Sequence, residues 1–129
     1  MSARRRVLVV DDNGDTRQAL QLLLGREGFE VRGARDGTGA LDLQRRHPSD
    51  LLITDLLMPN KDGLETIEDF RREFPAVRII AMSGGGVRIS GERYLTVAEV
   101  AGADAVLRKP FDPHEMIATV RRLLAAPGP

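Results

Sequence analysis

The sequence predicts a doubly wound α/β domain, an open five-stranded parallel sheet of order 2-1-3-4-5 with helices on both faces, (βα)5 in outline. Three observations predict it. Five short runs rich in Val, Ile and Leu recur at 6–10, 29–34, 51–54, 77–82 and 105–108, and several lack polar alternation, as strands buried on both faces do. Segments of helical period separate them. Strand and helix in strict alternation mean parallel strands joined by right-handed crossovers. The third observation is length: 129 residues support one domain, and five strands are too few for an eight-stranded barrel.

Each helical segment has its own signature. In the first, Ala19, Leu20, Leu23 and Leu24 make one apolar face, followed by Gly25 and Gly28. Ala40, Leu41 and Leu43 belong to the second, which His47-Pro48 brings to a stop, because the residue before proline is pushed out of helical geometry. Leu64, Ile67, Phe70 and Phe74 line the third, with Asp62 as N-cap and Pro75 beyond its end. A fourth segment is expected near 92–101. In the last, Asp112 caps, Pro113 takes the first helical position, and Met116, Ile117, Val120 and Leu124 form the stripe. Residues 1–129 read as one domain, with a core over about 5–125 and a tail or linker stump at 126–129.

Composition narrows the function classes. Nineteen basic and nineteen acidic residues give zero formal charge, so bulk nucleic-acid binding by this domain gains no support. Without cysteine there is no disulfide framework, thiolate metal site or cysteine nucleophile. The apolar runs are too short to span a bilayer, and the start leads into only four apolar residues before Asp11, unlike a signal peptide. A cytoplasmic location is therefore expected. Seventeen of the basic residues are Arg, leaving Lys61 and Lys109 as the two lysines. Arg4-Arg5-Arg6 reads as a solvated end, and Arg121-Arg122 as a solvated helix face.

In such a sheet ligands bind beyond the carboxyl ends of the strands, where the strand order reverses. Asp11 and Asp12 follow the first strand, Asp55 ends the third, Ser83 follows the fourth and Lys109 the fifth. Taken singly, each has a bland reading: cap, turn or surface residue. Together they are harder to dismiss. Two carboxylates about 5 Å apart repel by roughly 3 kcal/mol at an effective dielectric near 20, so three need cations. Lysine supplies one charge, and a hard divalent ion such as Mg²⁺ (or Mn²⁺) the rest. A carboxylate-held metal beside a nucleophilic carboxylate, with a hydroxyl and an amine, suits phosphoryl transfer.

Four fragments make the pattern specific: Val7-Leu8-Val9-Val10-Asp11-Asp12-Asn13, Asp55-Leu56-Leu57-Met58-Pro59 with Asp62-Gly63, Met82-Ser83-Gly84, and Gly102-Ala103-Asp104 leading to Lys109-Pro110-Phe111. Over essentially its whole length the chain resembles the receiver domain of bacterial two-component response regulators, with the CheY-like (flavodoxin-like) fold. The resemblance implies that Asp55 is the phospho-acceptor in a two-component system or phosphorelay. Its donor would be the phosphohistidine of a histidine kinase or histidine phosphotransfer protein. It further implies that Asp12, Asp55 and the backbone carbonyl of Leu57 hold Mg²⁺, with Asp11 acting mainly through water. Ser83 and Lys109 would receive the phosphoryl oxygens, and the Lys109–Pro110 bond would be cis. Such a chain is a signalling phosphoprotein, not an enzyme acting on other substrates.

Two departures from that family stand out. Val106 occupies the position, three before the lysine, where receivers usually carry an aromatic switch residue. The chain between Ser83 and Lys109 is also about four residues longer, with Gly84, Gly85 and Gly86 in the excess. Both point to a switch built on ordering of residues 84–90 in place of a turning ring. Leu57 and Gly85 offer no polar side chain to orient water, so a slowly hydrolysed acyl phosphate is expected. The alternatives are the receiver half of a longer regulator cut at Pro129, and a small Mg²⁺-dependent phosphohydrolase forming an aspartyl phosphate. The latter would carry Asp-x-Asp after the first strand and a substrate cap, and here Asp11 and Asp12 are adjacent.

Overall fold

The computed structural model describes residues 4–56, 63–83 and 102–125. The elements are β1 (Arg6–Val10), α1 (Gly14–Arg26), β2 (Glu30–Ala34), α2 (Gly37–Arg46), β3 (Leu51–Asp55), α3 (Gly63–Glu73), β4 (Arg78–Ser83), β5 (Ala105–Arg108) and α4 (Pro113–Ala125). All neighbouring strands pair in parallel, and the order is β2-β1-β3-β4-β5, as the sequence predicts. The expected Asp62 cap and the helical segment near 92–101 lie outside the described residues.

Alternate side chains of each strand leave for opposite faces. Val7, Val9, Leu51, Ile53, Ile80 and Met82 pack under α1 and α4 with Leu20, Leu24, Met116 and Val120. Leu8, Val10, Leu52, Ile79 and Ala81 pack under α2 and α3 with Ala40, Leu41, Ile67 and Phe70. Both faces of β1 and β3 are thus buried, which is why those runs carry no polar alternation.

Several boundaries differ from the periodicity, each for a hydrogen-bonding reason. Phe29 donates its N–H to Leu24 O (3.2 Å) and so closes α1, with Gly28 at φ +94° making the turn; β2 starts one residue later. Val77 is buried, yet its N–H turns back to Phe74 O, so β4 starts at Arg78 and runs on to Ser83. β3 extends to Asp55, which pairs with Met82. On α4 the buried stripe is Met116, Thr119, Val120 and Leu123; Ile117 and Leu124 are half-buried flanks, and on α1 Ala19 is exposed. Asp112 caps α4 through the N–H of His114 (2.8 Å).

Three of the basic residues expected to be merely solvated are paired. Arg5 Nη2 donates to Leu124 O at 2.8 Å, Arg6 meets Glu30 at 3.1 Å, and Arg121 meets Glu27 at 2.6 Å.

Candidate functional site

Parallel strands bring all their carboxyl ends to one edge. Val10 pairs with Thr54, Asp55 with Met82 and Ser83 with Arg108, and the N–H of Lys109 donates to Ser83 O at 2.9 Å. Residues far apart in the chain therefore stand together there: Asp11, Asp12, Asp55, Ser83 and Lys109. The Lys109–Pro110 peptide is cis.

Asp11 is fully buried and Asp55 is 5% exposed, whereas Asp12 faces solvent. One oxygen from each of the three lies within 4.8 Å of the others. At that spacing each pair repels by about 3 kcal/mol at an effective dielectric near 20. Lys109 answers part of it, with Nζ 2.7 Å from Asp11 Oδ2 and 3.2 Å from Asp55 Oδ2. Burial pulls the Lys109 pKa down, but the hydrogen bond to Asp11 and the charges of Asp55 and Asp11 outweigh it and raise the group above its ordinary value. The amine is an ammonium at neutral pH.

Three carboxylates against one ammonium leave a formal excess of two negative charges, which matches a dication. The donors are hard oxygens without sulfur or imidazole, and Asp12 opens the cluster to water. Mg²⁺ prefers such a site, with few carboxylates and several waters, and Mn²⁺ accepts the same ligands. The residues present fit the ion.

The surrounding backbone positions these groups. Asp11 is tied four ways: its N–H donates to Ala34 O (3.2 Å), Oδ1 accepts from Asn13 N (2.9 Å), Oδ2 accepts from Lys109, and its carbonyl accepts from Arg17 Nη1 (2.7 Å). Asn13 caps α1 by accepting from the N–H groups of Asp15 and Thr16. Gly63 lies so close behind β3 that a Cβ there would stand 2.1 Å from Asp55 O and 2.6 Å from Leu56 Cα. Ser83 is partly buried at the end of β4, and Val106 is half-buried against the α2–α3 face. Leu57, Gly84, Gly85 and Gly86 lie outside the described residues.

Sequence reasoning missed Arg17 and the packing role of Gly63. Arg17 binds a carbonyl, which carries no residue signature; a basic residue six positions after Asp11, on the helix that the acid pair opens, is the one available hint. Gly63 stood in a quoted fragment, without its reason.

The model of the response regulator receiver domain matches residues 7–121. The chain belongs to the response regulator receiver domain family. As a receiver it is similar to the response regulator MprA of Mycobacterium sp. (strain KMS), at 35% identity over 96% of this chain and 52% of that protein. MprA of Mycobacterium leprae (strain TN) also shows 35% identity, over 96% and 53%. The receiver thus spans about half the length of the curated relatives it matches. Among solved structures it resembles the chemotaxis protein CheY4 of Vibrio cholerae, with TM-score 0.84, 30% identity and coverage of 94% and 99%. The receiver domain of NtrX from Brucella abortus gives TM-score 0.86, 28% identity and coverage of 94% and 99%. The receiver architecture and the three-carboxylate cluster support a phospho-accepting, Mg²⁺-linked signalling function, in which the chain acts on its own phosphorylation state. No described helix is long and apolar enough to cross a membrane.

Proposed function

We propose that this receiver takes a phosphoryl group onto Asp55 and thereby changes its binding to another protein. The observation that carries the proposal is the placement of Lys109 Nζ between Asp11 Oδ2 and Asp55 Oδ2, beside a three-carboxylate cluster. The donor is a phosphohistidine on a histidine kinase or histidine phosphotransfer protein. An Asp55 carboxylate oxygen attacks phosphorus, the P–N bond breaks, and the imidazole leaves, picking up a proton. Asp12, Asp55 and the Leu57 carbonyl, with Asp11 through water, would hold Mg²⁺, and the ion would supply positive charge for the phosphoryl oxygens. Lys109 pairs with one of those oxygens, and the Ser83 hydroxyl donates to another.

An apolar groove of about 700 Å³ opens beside Lys109, lined by Thr16, Ala19, Leu23, Pro110, Phe111 and Pro113 among others, and offers the donor protein a seat. Nucleic-acid binding by this domain gains no support from composition, because acids and bases balance. Residues 1–129 are read as one receiver domain.

Mass spectrometry tests the proposal. With Mg²⁺ and acetyl phosphate the chain gains one acid-labile phosphoryl group, and Asp55→Asn gains none. Equal labelling of both chains overturns it.

A further inference from the structure

The carboxylate of Asp12 is exposed and makes no hydrogen bond or ion pair among the described residues. With no side-chain partner, the one fixed part of its geometry is the backbone frame from which its Cβ leaves, and the peptide joining it to Asp11 is part of that frame. One side of that peptide is held by a single side chain: Arg17 Nη1 donates to the Asp11 carbonyl at 2.7 Å. We infer that Arg17 is a positioning residue for the metal-binding carboxylates, acting through the Asp11 carbonyl to fix where Asp12 points. The inference rests on the receiver reading above and extends it to a residue that touches neither the ion nor the phosphoryl group.

The path of the side chain supports this. Arg17 is half-buried on the first turn of α1, whose N-terminus Asn13 caps. Its stem runs past Gly33 of β2, where an added Cβ would stand 3.4 Å from Arg17 Cδ and 3.2 Å from Gln21 Nε2. Its tip reaches Gly14, where an added Cβ would stand 3.4 Å from Nη2. Both distances to Arg17 are ordinary van der Waals contact, so the side chain lies packed along these two backbones. Asp11 is then held by β2 through its N–H and by α1 through its carbonyl, so a crankshaft rotation of the 11–12 peptide must break a charge-assisted bond.

Charge and position predict opposite signs. Removing a cation near the cluster would by itself tighten binding of a dication. Removing a group that orients a ligand weakens binding, for outer-shell partners of metal ligands by about 10–100-fold. At about 0.15 M salt, screening over roughly 8 Å reduces the charge effect.

The test is calorimetric titration of Mg²⁺ into the metal-free chain, with amide hydrogen exchange at Asp12 and Asn13 as a second readout. Arg17→Gln is expected to weaken Mg²⁺ binding about tenfold and to speed exchange at those amides. Arg17→Lys, which keeps the charge and one donor, recovers part of the affinity. Unchanged or tighter binding in Arg17→Gln overturns the inference. If the unsubstituted chain binds no Mg²⁺, the receiver reading falls and takes this inference with it.

Discussion

Gly63 stands directly behind Asp55: a β-carbon on residue 63 would come within 2.1 Å of the Asp55 carbonyl oxygen. The obstacle is backbone, so no side-chain rotation relieves it. Gly63→Ala must push α3 away from β3 or displace Asp55 itself. Overpacking of this kind costs about 1–3 kcal/mol, and here it falls on Asp55. Urea unfolding should show that loss, and phosphorylation by acetyl phosphate should slow in the same variant. Stability and labelling rate equal to those of the unsubstituted chain would show that α3 is not packed this tightly.

Lys109 is the cation that the structure places among the buried acids. Lys109→Met leaves Asp11 and Asp55 facing one another with their repulsion, about 3 kcal/mol per pair at an effective dielectric near 20, uncompensated. The variant should unfold at lower temperature than the parent without metal. Added Mg²⁺ should raise its Tm by more than it raises the parent's, because the ion then supplies charge that the lysine no longer does. Equal Mg²⁺ shifts in thermal scans of both chains would contradict this account of the cluster's balance.

Arg71 closes the entry to β5. Its guanidinium donates to Gly102 O (2.7 Å), Val77 O (2.6 Å) and Asp104 Oδ2 (2.5 Å), and the same Asp104 oxygen accepts from Ile79 N (2.7 Å). Gly102, at φ +119° with Arg71 Cγ 2.6 Å from a would-be Cβ, cannot carry a side chain there. Arg71→Gln should cost about 1.5–3 kcal/mol in urea unfolding, the range for hydrogen bonds to charged groups. Because no contact among the described residues links Arg71 to Asp11, Asp12 or Asp55, the Mg²⁺ affinity should not change. A stability within experimental error of the parent would refute the role.

Arg45 and Glu73 join α2 to α3 in a two-point pair at 2.6 and 2.8 Å. The hydrogen bond from Arg45 lowers the Glu73 pKa below its ordinary 4.5. A depressed carboxylate contributes stability above its unfolded pKa and loses it as pH falls through the folded one. The Tm difference between the parent and Arg45→Gln should therefore be constant at neutral pH and shrink below about pH 4.5. It should be small and salt-sensitive, since both partners are exposed. Thermal scans from pH 7 to pH 3 check it; a difference that grows on acidification would reverse the sign.

Much of the fold was legible because burial on both faces writes itself into composition. Val7 to Val10 and Leu51 to Ile53 are almost wholly inaccessible, and that alone makes uninterrupted apolar runs. Strand ends were less legible. Val77 and Phe29 are apolar like their neighbours, yet their N–H groups belong to turns, and side-chain type does not record where a backbone donor goes. The acids and the lysine could be placed because a parallel sheet gathers strand ends at one edge. Arg17, Arg71 and Arg5 could not, because their partners are largely carbonyl oxygens, which every residue possesses. Gly63 was visible as a letter and silent as a contact.

The central claim is that Asp55 carries the acyl phosphate. Reductive trapping tests it most directly: the chain is treated with acetyl phosphate and Mg²⁺, reduced with borohydride, digested and sequenced by tandem mass spectrometry. An acyl phosphate on aspartate is reduced to homoserine, so the account predicts homoserine at position 55, with Asp11 and Asp12 intact. Homoserine at Asp11 or Asp12, or an unmodified Asp55 in a chain that has gained a phosphoryl group, would contradict it.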